Sequence, residues 1–178
     1  MRESTCSLGA ALSFFALELA GGVRGGRALK AVIPGGSSMP VLPASVIMNT
    51  DMSFDSISKA GSMLGSGGVI VMDETRCMVK CLLRLSYFYY EESCGQCTPC
   101  REGTGWLWRI VNRIEMGEGT EEDLSKLLEL ADRIQGKTIC ALGDAAAWPI
   151  QGLIRHFRND IEDRIMTYSS KKAIQAAE

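Results

Sequence analysis

The sequence has little net charge and no long apolar run. A formal net charge of −2 over 178 residues leaves no excess of basic groups of the kind that binds nucleic acid. The uncharged, apolar-leaning stretch Leu8 to Leu17 ends at Glu18 and is too short to cross a bilayer. No secretory signal pattern accompanies it, and Arg2 and Glu3 do not make a convincing transit peptide. We therefore expect a soluble chain without nucleic-acid partners or a membrane span.

Nucleotide-binding and hydrolytic motifs are also absent. The segment Pro34-Gly35-Gly36-Ser37-Ser38 lacks both the lysine of a P-loop and the G-x-G-x-x-G spacing, and Gly61 to Gly68 fails the same spacing. No catalytic triad, carboxylate pair or general base stands out. Both glycine-rich segments are therefore predicted to be turns, and no catalytic residue is predicted.

Glycine and proline are concentrated in residues 1–73, which predicts short elements joined by turns. A helix capped by Ser7 is predicted first, then strands over Leu29 to Ile33 and Val69 to Met72, with a short helix ending at Gly61 between them. Two strands make a poor sheet in water. This region is therefore expected to have irregular further strands or to lack part of its sheet.

Residues 74–166 contain long amphipathic stretches with few helix breakers. They predict four helices, which begin at about Thr75, Glu102, Thr120 and Pro149. Thr120 has an acid three residues later, as in a capping box, and proline is favoured in the first turn of a helix. Residues 167–178 have no sustained apolar stripe and are expected to fray. The predicted fold class is α+β, with an incomplete sheet region before a mainly α four-helix bundle.

The strongest chemical signal is a cysteine pattern. Cys94, Cys97 and Cys100 are spaced so that three thiolates can reach three irons of one [4Fe–4S] cluster. A fourth ligand is needed, and Cys140 is the candidate, because the loop between the third and fourth predicted helices can return to the same end of a bundle. The second-cluster ferredoxin pattern is absent, which favours one cluster.

Other interpretations of the cysteines stay open. Structural zinc on the same four sulfurs would make the chain a zinc-stabilised interaction module, although zinc ligands are usually arranged as two separated pairs. Disulfides or inert thiols are the remaining alternative. Cys77 and Cys81 are one helical turn apart and are expected to behave as small hydrophobes, and Cys6 has no predicted role. Colour distinguishes the two metals, because iron–sulfur proteins are brown and zinc proteins are colourless.

The remaining polar and aromatic candidates are secondary. The single histidine, His156, is expected at the surface or facing a partner, since four cysteines suffice as ligands. Four cations are expected near the cluster end, where they would offset its negative charge: Arg101, Arg109, Arg113 and Lys137. A solvated helix face explains Arg109 and Arg113 as well. Three tryptophans are expected to pack the bundle and shield the cluster: Trp106, Trp108 and Trp148.

These residues resemble a known family. The segments Glu92 to Gly103, Thr138 to Asp144 and Ala147 to Arg158 are similar to the C-terminal part of the NADH-binding flavoprotein subunit of respiratory complex I. Upstream, Ala31 to Ser38 and Val69 to Asp73 also fit, and the resemblance covers about residues 19–166. It implies a β-grasp (soluble-ligand-binding) domain before a four-helix cluster domain. It also implies one [4Fe–4S] cluster on four ligands: Cys94, Cys97, Cys100 and Cys140.

In that family the cluster receives single electrons from FMN reduced by NADH and passes them towards quinone. The family's flavin and NADH domain has no counterpart here, so FMN and NADH are implied for the family and for no residue of this chain. The implied partners are a 2Fe–2S flavoprotein subunit, a multi-cluster iron–sulfur subunit and a separate flavin domain. Related diaphorase subunits of NAD-linked hydrogenases and formate dehydrogenases are the alternative. The expected location is the matrix side of the inner mitochondrial membrane, or a bacterial cytoplasmic face.

Overall fold

The computed structural model describes the backbone of residues 21–175 and the side chains of residues 21–168. The chain divides into two compact units between Arg76 and Cys77. The predicted boundary, after residue 73, lies three residues earlier. The predicted helix capped by Ser7 lies outside the described residues, and so does Cys6.

The first unit contains a three-stranded antiparallel sheet in its described part. The strands are β1 (Leu29–Ile33), β2 (Leu42–Pro43) and β3 (Ile70–Asp73), in the order β2-β1-β3. Val32 pairs with Leu42 on one side and with Val71 on the other. Two strands were predicted, with irregular further strands as one possibility, and β2 is such a strand. Its position was not predicted, because a two-residue strand that contains proline has no alternating pattern to recognise.

Two short helices and a small apolar core complete this unit. The helices are α1 (Ala44–Ile47) and α2 (Phe54–Lys59), and the Ser53 hydroxyl caps α2 by accepting the backbone N–H of Ser56 at 3.2 Å. A 3-10 turn at Arg24–Gly26 precedes β1. The core consists of fully buried side chains from the sheet and both helices: Val32, Leu42, Ile47 and Ile57.

The two glycine-rich segments lie directly against each other. The backbone N–H of Gly36 donates to the carbonyl of Gly68 at 2.7 Å, and the N–H of Ser66 donates to the carbonyl of Gly35 at 3.2 Å. A Cβ at Gly35 would collide with the backbone of Met63 and Leu64. Their glycines therefore allow two turns to pack backbone to backbone, which agrees with the prediction of turns and gives its physical reason.

Asp73, at the end of β3, holds the sheet to the residues on either side. Its carboxylate accepts hydrogen bonds from the Thr75 hydroxyl, the Thr75 N–H at 3.0 Å, Arg27 at 3.1 Å and Arg76 at 3.4 Å. The Thr75 hydroxyl is the largest cause, and together these donors lower the pKa of Asp73 from 3.8 to about 2 against the opposing effect of burial.

We expect this carboxylate to make the first unit acid-sensitive. Because its folded pKa lies below its unfolded value, the stabilisation is complete above about pH 4 and is lost as the pH falls towards about 2. NMR titration of the Thr75 amide should report the folded pKa, and the native Val32 methyl signals should weaken across the same range. Asp73→Asn should abolish this titration, whereas an unchanged profile would contradict the assignment.

The second unit, within the described residues, consists of four helices. They are α3 (Met78–Glu91), α4 (Thr98–Glu115), α5 (Glu122–Ile134) and α6 (Leu142–Gln175), and α6 is kinked at Phe157. Helices α4 and α6 each contact the other three. Each helix buries one apolar stripe, as for Leu127, Ala131 and Ile134 on α5. Among the described residues, no helix has the length and apolar character needed to span a bilayer.

Two predicted helix starts are wrong. Helix α4 begins at Thr98 rather than at Glu102, because Cys97 is its extended N-cap and Pro99 lies in its first turn. Helix α6 begins at Leu142, and Pro149 lies inside it rather than at its start. Ala147 and Ile150 on either side are fully buried, so tertiary packing outweighs the cost of an internal proline.

Helix α6 also extends through the segment predicted to fray. It runs to Gln175, whereas fraying was expected from residue 167. The Arg164 guanidinium pairs with the Glu115 carboxylate on α4 and lies 5.0 Å from the centre of the Tyr168 ring. The pair with Glu115 joins this part of α6 to α4, whereas the Arg164–Tyr168 contact lies within α6, one helical turn apart.

Candidate metal centre

The four predicted ligands lie at two neighbouring helix starts. Cys94 is exposed in the loop between α3 and α4, Cys97 is the half-buried N-cap of α4, and Cys100 is buried in its first turn. Cys140 is exposed in the loop just before α6. All four are free thiols. Negative charge is favourable at a helix N-terminus, so the start of α4 is a favourable place for a negatively charged cofactor bound to Cys97 and Cys100.

The first cysteine loop joins α3 to α4, the second precedes α6, and the first is shaped by local hydrogen bonds. Gly95 has a φ of +77°, a conformation that side chains disfavour, and its carbonyl accepts a hydrogen bond from Arg101 at 3.3 Å. The Ser93 hydroxyl oxygen lies 3.2 Å from the Cys100 sulfur, and the Gly95 N–H donates to the same oxygen at 3.4 Å. The loop therefore folds back over the first turn of α4, which brings Ser93 onto a predicted ligand.

A direct contact joins the second loop to the first. The backbone N–H of Ile139 donates to the Cys97 sulfur at 3.3 Å, which places the residue beside Cys140 against a predicted ligand on α4. The loop is tied down by Thr138, whose hydroxyl donates to the Cys140 carbonyl at 2.8 Å. A Cβ at Gly143 would collide with the Thr138 side chain. Glycine at this position therefore allows the loop to pack on the start of α6.

The four sulfurs share one region but are not gathered into a coordination geometry. Among the described residues, no set of three or more histidine, cysteine or carboxylate side chains is arranged to hold a metal ion. The donor chemistry nevertheless fits a [4Fe–4S] cluster, which takes four thiolates. Hydrogen bonds to two of the sulfurs, from Ile139 and at Ser93, are typical of thiolate ligands. Four cysteines as the ligands remain a prediction.

The four cations predicted near the site lie in different surroundings. Arg101 remains at the loop and also pairs with Glu102 at 3.0 Å. Arg113 is held elsewhere by the buried Asp123 carboxylate, so its predicted place near the cluster is wrong. Arg109 lines a groove of about 520 Å³ between α4 and α5, and Lys137 lines a neighbouring groove of about 480 Å³.

Outside the two cysteine loops lie the tryptophans, the histidine, Cys77 and Cys81. Trp108 stacks on Tyr90 at 5.3 Å and packs α4 against α3, whereas Trp106 is half-exposed in the groove. His156 is half-buried on α6, where burial, with the Arg155 charge adding to it, lowers the histidine pKa. Cys77 and Cys81 lie at the start of α3.

Sequence reasoning missed two residues that the structure places on predicted ligands. Ser93 immediately precedes Cys94, and Ile139 immediately precedes Cys140, so each lies inside a segment already singled out. Ile139 contributes only a backbone N–H, which its side-chain type does not reveal. Its side chain is 84% exposed, and the hydrogen bond to Cys97 is itself exposed, so burial gave no signal for it either.

Comparisons with known proteins match this region. Residues 80–164 match the family described as the NADH-ubiquinone oxidoreductase-F iron-sulfur binding region. The chain is 61% identical over 147 residues to the F subunit of the NADH-quinone oxidoreductase of Rickettsia bellii (strain OSU 85-389), covering 82% of this chain and 35% of that protein. It is 57% identical over 164 residues to the corresponding F subunit of Rickettsia rickettsii (strain Sheila Smith), covering 92% of this chain and 39% of that protein.

The fold matches solved structures as well. Crystal structures of an NAD+-reducing [NiFe]-hydrogenase in the H2-reduced and air-oxidized states superpose with TM-scores of 0.77 and 0.76 at 30% and 29% identity. Each match covers 89% of this chain and 26% of the hydrogenase chain. The chain spans little more than a third of the length of its curated relatives. The predicted resemblance is therefore confirmed: residues 80–164 match the iron-sulfur binding region of NADH-ubiquinone oxidoreductase F, and most of this chain is similar to part of the F subunits of NADH-quinone oxidoreductases.

Proposed function

We propose that this chain binds one [4Fe–4S] cluster through Cys94, Cys97, Cys100 and Cys140, and that it forms the electron-transfer part of an NADH:quinone oxidoreductase. The observation that carries the proposal is the hydrogen bond from the Ile139 N–H to the Cys97 sulfur, because it joins the two cysteine segments. The matched family, an iron–sulfur binding region, supports the cofactor. When bound, such a cluster accepts and releases single electrons.

The chain's own residues supply the surroundings of this site. The N-terminus of α4 favours the negative charge of a cofactor bound to Cys97 and Cys100, and the Arg101 guanidinium stays at the loop beside them. Cys100 is only 7% exposed, whereas Cys94 and Cys140 are exposed, so one side of the site is shielded and the other is open. An open side lets a neighbouring protein approach the site closely, which favours electron exchange between them.

The finer parts of the proposal concern the assembly. The four helices α3 to α6 serve as the four-helix cluster domain, and the sheet unit serves as an incomplete β-grasp domain. FMN reduced by NADH, and held by residues other than 1–178, supplies the electrons, and the electron acceptors are a multi-cluster iron–sulfur subunit and a 2Fe–2S flavoprotein subunit. Two locations were predicted, the matrix face of the inner mitochondrial membrane and a bacterial cytoplasmic face. The relatives described above are bacterial, from Rickettsia, which supports the second.

A second candidate is the diaphorase part of an NAD-linked hydrogenase. The superposition on the NAD+-reducing [NiFe]-hydrogenase favours it, since the fold is shared over most of this chain. Sequence identity points the other way, because the chain is 61% identical to an NADH-quinone oxidoreductase subunit and only 30% identical to the hydrogenase chain. We therefore retain the quinone-linked assignment.

Anaerobic reconstitution tests the proposal. The full chain, loaded with iron and sulfide, should be brown and should contain about four irons and about four labile sulfides. Dithionite should produce a spin-half EPR signal. Residues 1–178 alone, loaded with the cluster, should not oxidise NADH, since none of them is proposed to bind FMN or NADH. A colourless protein that retains zinc would support the interaction module instead, and substantial NADH turnover would contradict the absence of FMN and NADH sites among these residues.

A further inference from the structure

We infer that the Ser93 hydroxyl hydrogen-bonds to the Cys100 thiolate in the cluster-loaded protein and so raises the reduction potential of the site. This inference rests on the proposed function and assigns a positioning residue for it. Ser93 is not one of the predicted ligands. It lies one residue before Cys94, yet its hydroxyl oxygen lies 3.2 Å from the sulfur of Cys100, on the first turn of α4.

The direction of this hydrogen bond follows from the chemistry of the two groups. Between a serine and a neutral thiol either atom can donate, but a cysteine that binds iron has lost its S–H hydrogen. The hydroxyl hydrogen of Ser93 is then the one available to the contact. The Gly95 N–H donates to the Ser93 oxygen at 3.4 Å, which occupies the oxygen as an acceptor and leaves its hydrogen to point at the sulfur.

Further hydrogen bonds hold both partners of this contact, Ser93 and Cys100, in position. The N–H of Ser93 donates to the carbonyl of Tyr90 at 3.4 Å, at the C-terminal end of α3. On the other side, the Thr104 hydroxyl donates to the carbonyl of Cys100 at 2.7 Å, inside the buried first turns of α4. The acceptor therefore lies in the first turn of α4, and the donor, in the loop, is tied by its backbone N–H to the last turn of α3.

Burial makes this contact stronger than an exposed hydrogen bond. Cys100 is the only one of the four predicted ligands that is buried, and Ser93 is half-buried. Hydrogen bonds strengthen where water is excluded. Adding an electron increases the negative charge on the ligand sulfurs, so a donor at Cys100 stabilises the reduced form more than the oxidised form. The potential of the site rises accordingly.

Three variants of the full chain test this inference. Ser93→Ala removes the donor, Ser93→Thr keeps a hydroxyl, and Ser86→Ala removes a serine hydroxyl that donates to the carbonyl of Leu82 on α3, away from both loops. After anaerobic reconstitution, iron and sulfide content is measured first, and the spin-half signal is then followed through a redox titration by EPR.

We expect Ser93→Ala to retain its cluster and to become harder to reduce, by about tenfold in the reduction equilibrium constant, which is about 59 mV for one electron. Ser93→Thr should recover most of this shift, and Ser86→Ala should titrate like the unmodified chain. A Ser93→Ala variant that titrates like the unmodified chain would overturn the inference. Loss of iron from Ser93→Ala alone would also overturn it, because Ser93 would then act in assembly.

These results can be told apart from failure of the proposed function. If the unmodified chain binds no iron and sulfide, the proposed function fails and the inference fails with it. If the unmodified chain is loaded and gives the EPR signal, the proposed function stands, and the potentials of the three variants decide the role of Ser93 alone.

Discussion

Replacing Cys140 with serine should abolish the reduced spin-half EPR signal and lower the iron content of the reconstituted chain well below about four per molecule. The physical reason is the ligand count, because Cys94, Cys97 and Cys100 provide only three thiolates for four irons. The structure supports the fourth position, since the residue before Cys140 already donates a hydrogen bond to the Cys97 sulfur.

Cys77→Ser is the matched control for this variant. Cys77 is a half-buried cysteine at the N-cap of α3, outside both cysteine loops, and serine is well suited to a helix N-cap. We expect this variant to retain its iron, sulfide and EPR signal. Equal loss of signal in both variants would indicate a general effect of cysteine removal, and full retention by Cys140→Ser would exclude Cys140 as a ligand.

Replacing Asp123 with alanine should lower the free energy of unfolding of the helical unit by about 2–3 kcal/mol. Asp123 is fully buried and accepts hydrogen bonds from the Arg113 guanidinium on α4 and from the backbone N–H of Thr120 at 2.8 Å. Alanine leaves both donors without this partner. The estimate is below the largest values for buried pairs because the Arg113 side chain is 43% exposed.

Tryptophan fluorescence during urea unfolding measures this effect in the right unit. The three tryptophans all lie on α4 and α6, so their signal reports the helical unit and not the sheet unit. The Asp123→Ala midpoint should fall by roughly 1 M urea or more. Glu122→Ala is the control, since Glu122 makes only an exposed pair with Lys126 and should change stability by less than about 0.5 kcal/mol. Equal midpoints for both variants would contradict the proposed role of Asp123.

The segment after the cysteines combines chemistry with packing. Gly103 follows Cys100 on the buried face of α4, and a Cβ there would lie 2.7 Å from the Ile134 side chain on α5. Gly105 similarly faces the Tyr90 ring on α3, where a Cβ would lie 3.1 Å from a ring carbon. These glycines let α3 and α5 pack closely on α4. These two glycines after the cysteines therefore do not act on the ligands directly. They allow the close helix packing that positions the ligands.

The sequence by itself determined the features that depend on local pattern. The three-residue spacing of Cys94, Cys97 and Cys100 indicated a cluster motif, and the apolar period of α5 indicated its buried stripe. The acid three residues after Thr120 was recognised as a capping element, and the Asp123 carboxylate does accept the Thr120 N–H. Each of these depends on residues within one or two helical turns of each other.

Only the tertiary structure decided the features that depend on distant residues. The pairing of Arg113 with Asp123, the contact of Ile139 with Cys97, and the continuation of α6 through Pro149 join or bury residues that sequence spacing leaves unrelated. The short strand β2 likewise exists because β1 provides its hydrogen-bond partners. Packing energy outweighed local propensity at each of these places, which is why a pattern read along the chain could not predict them.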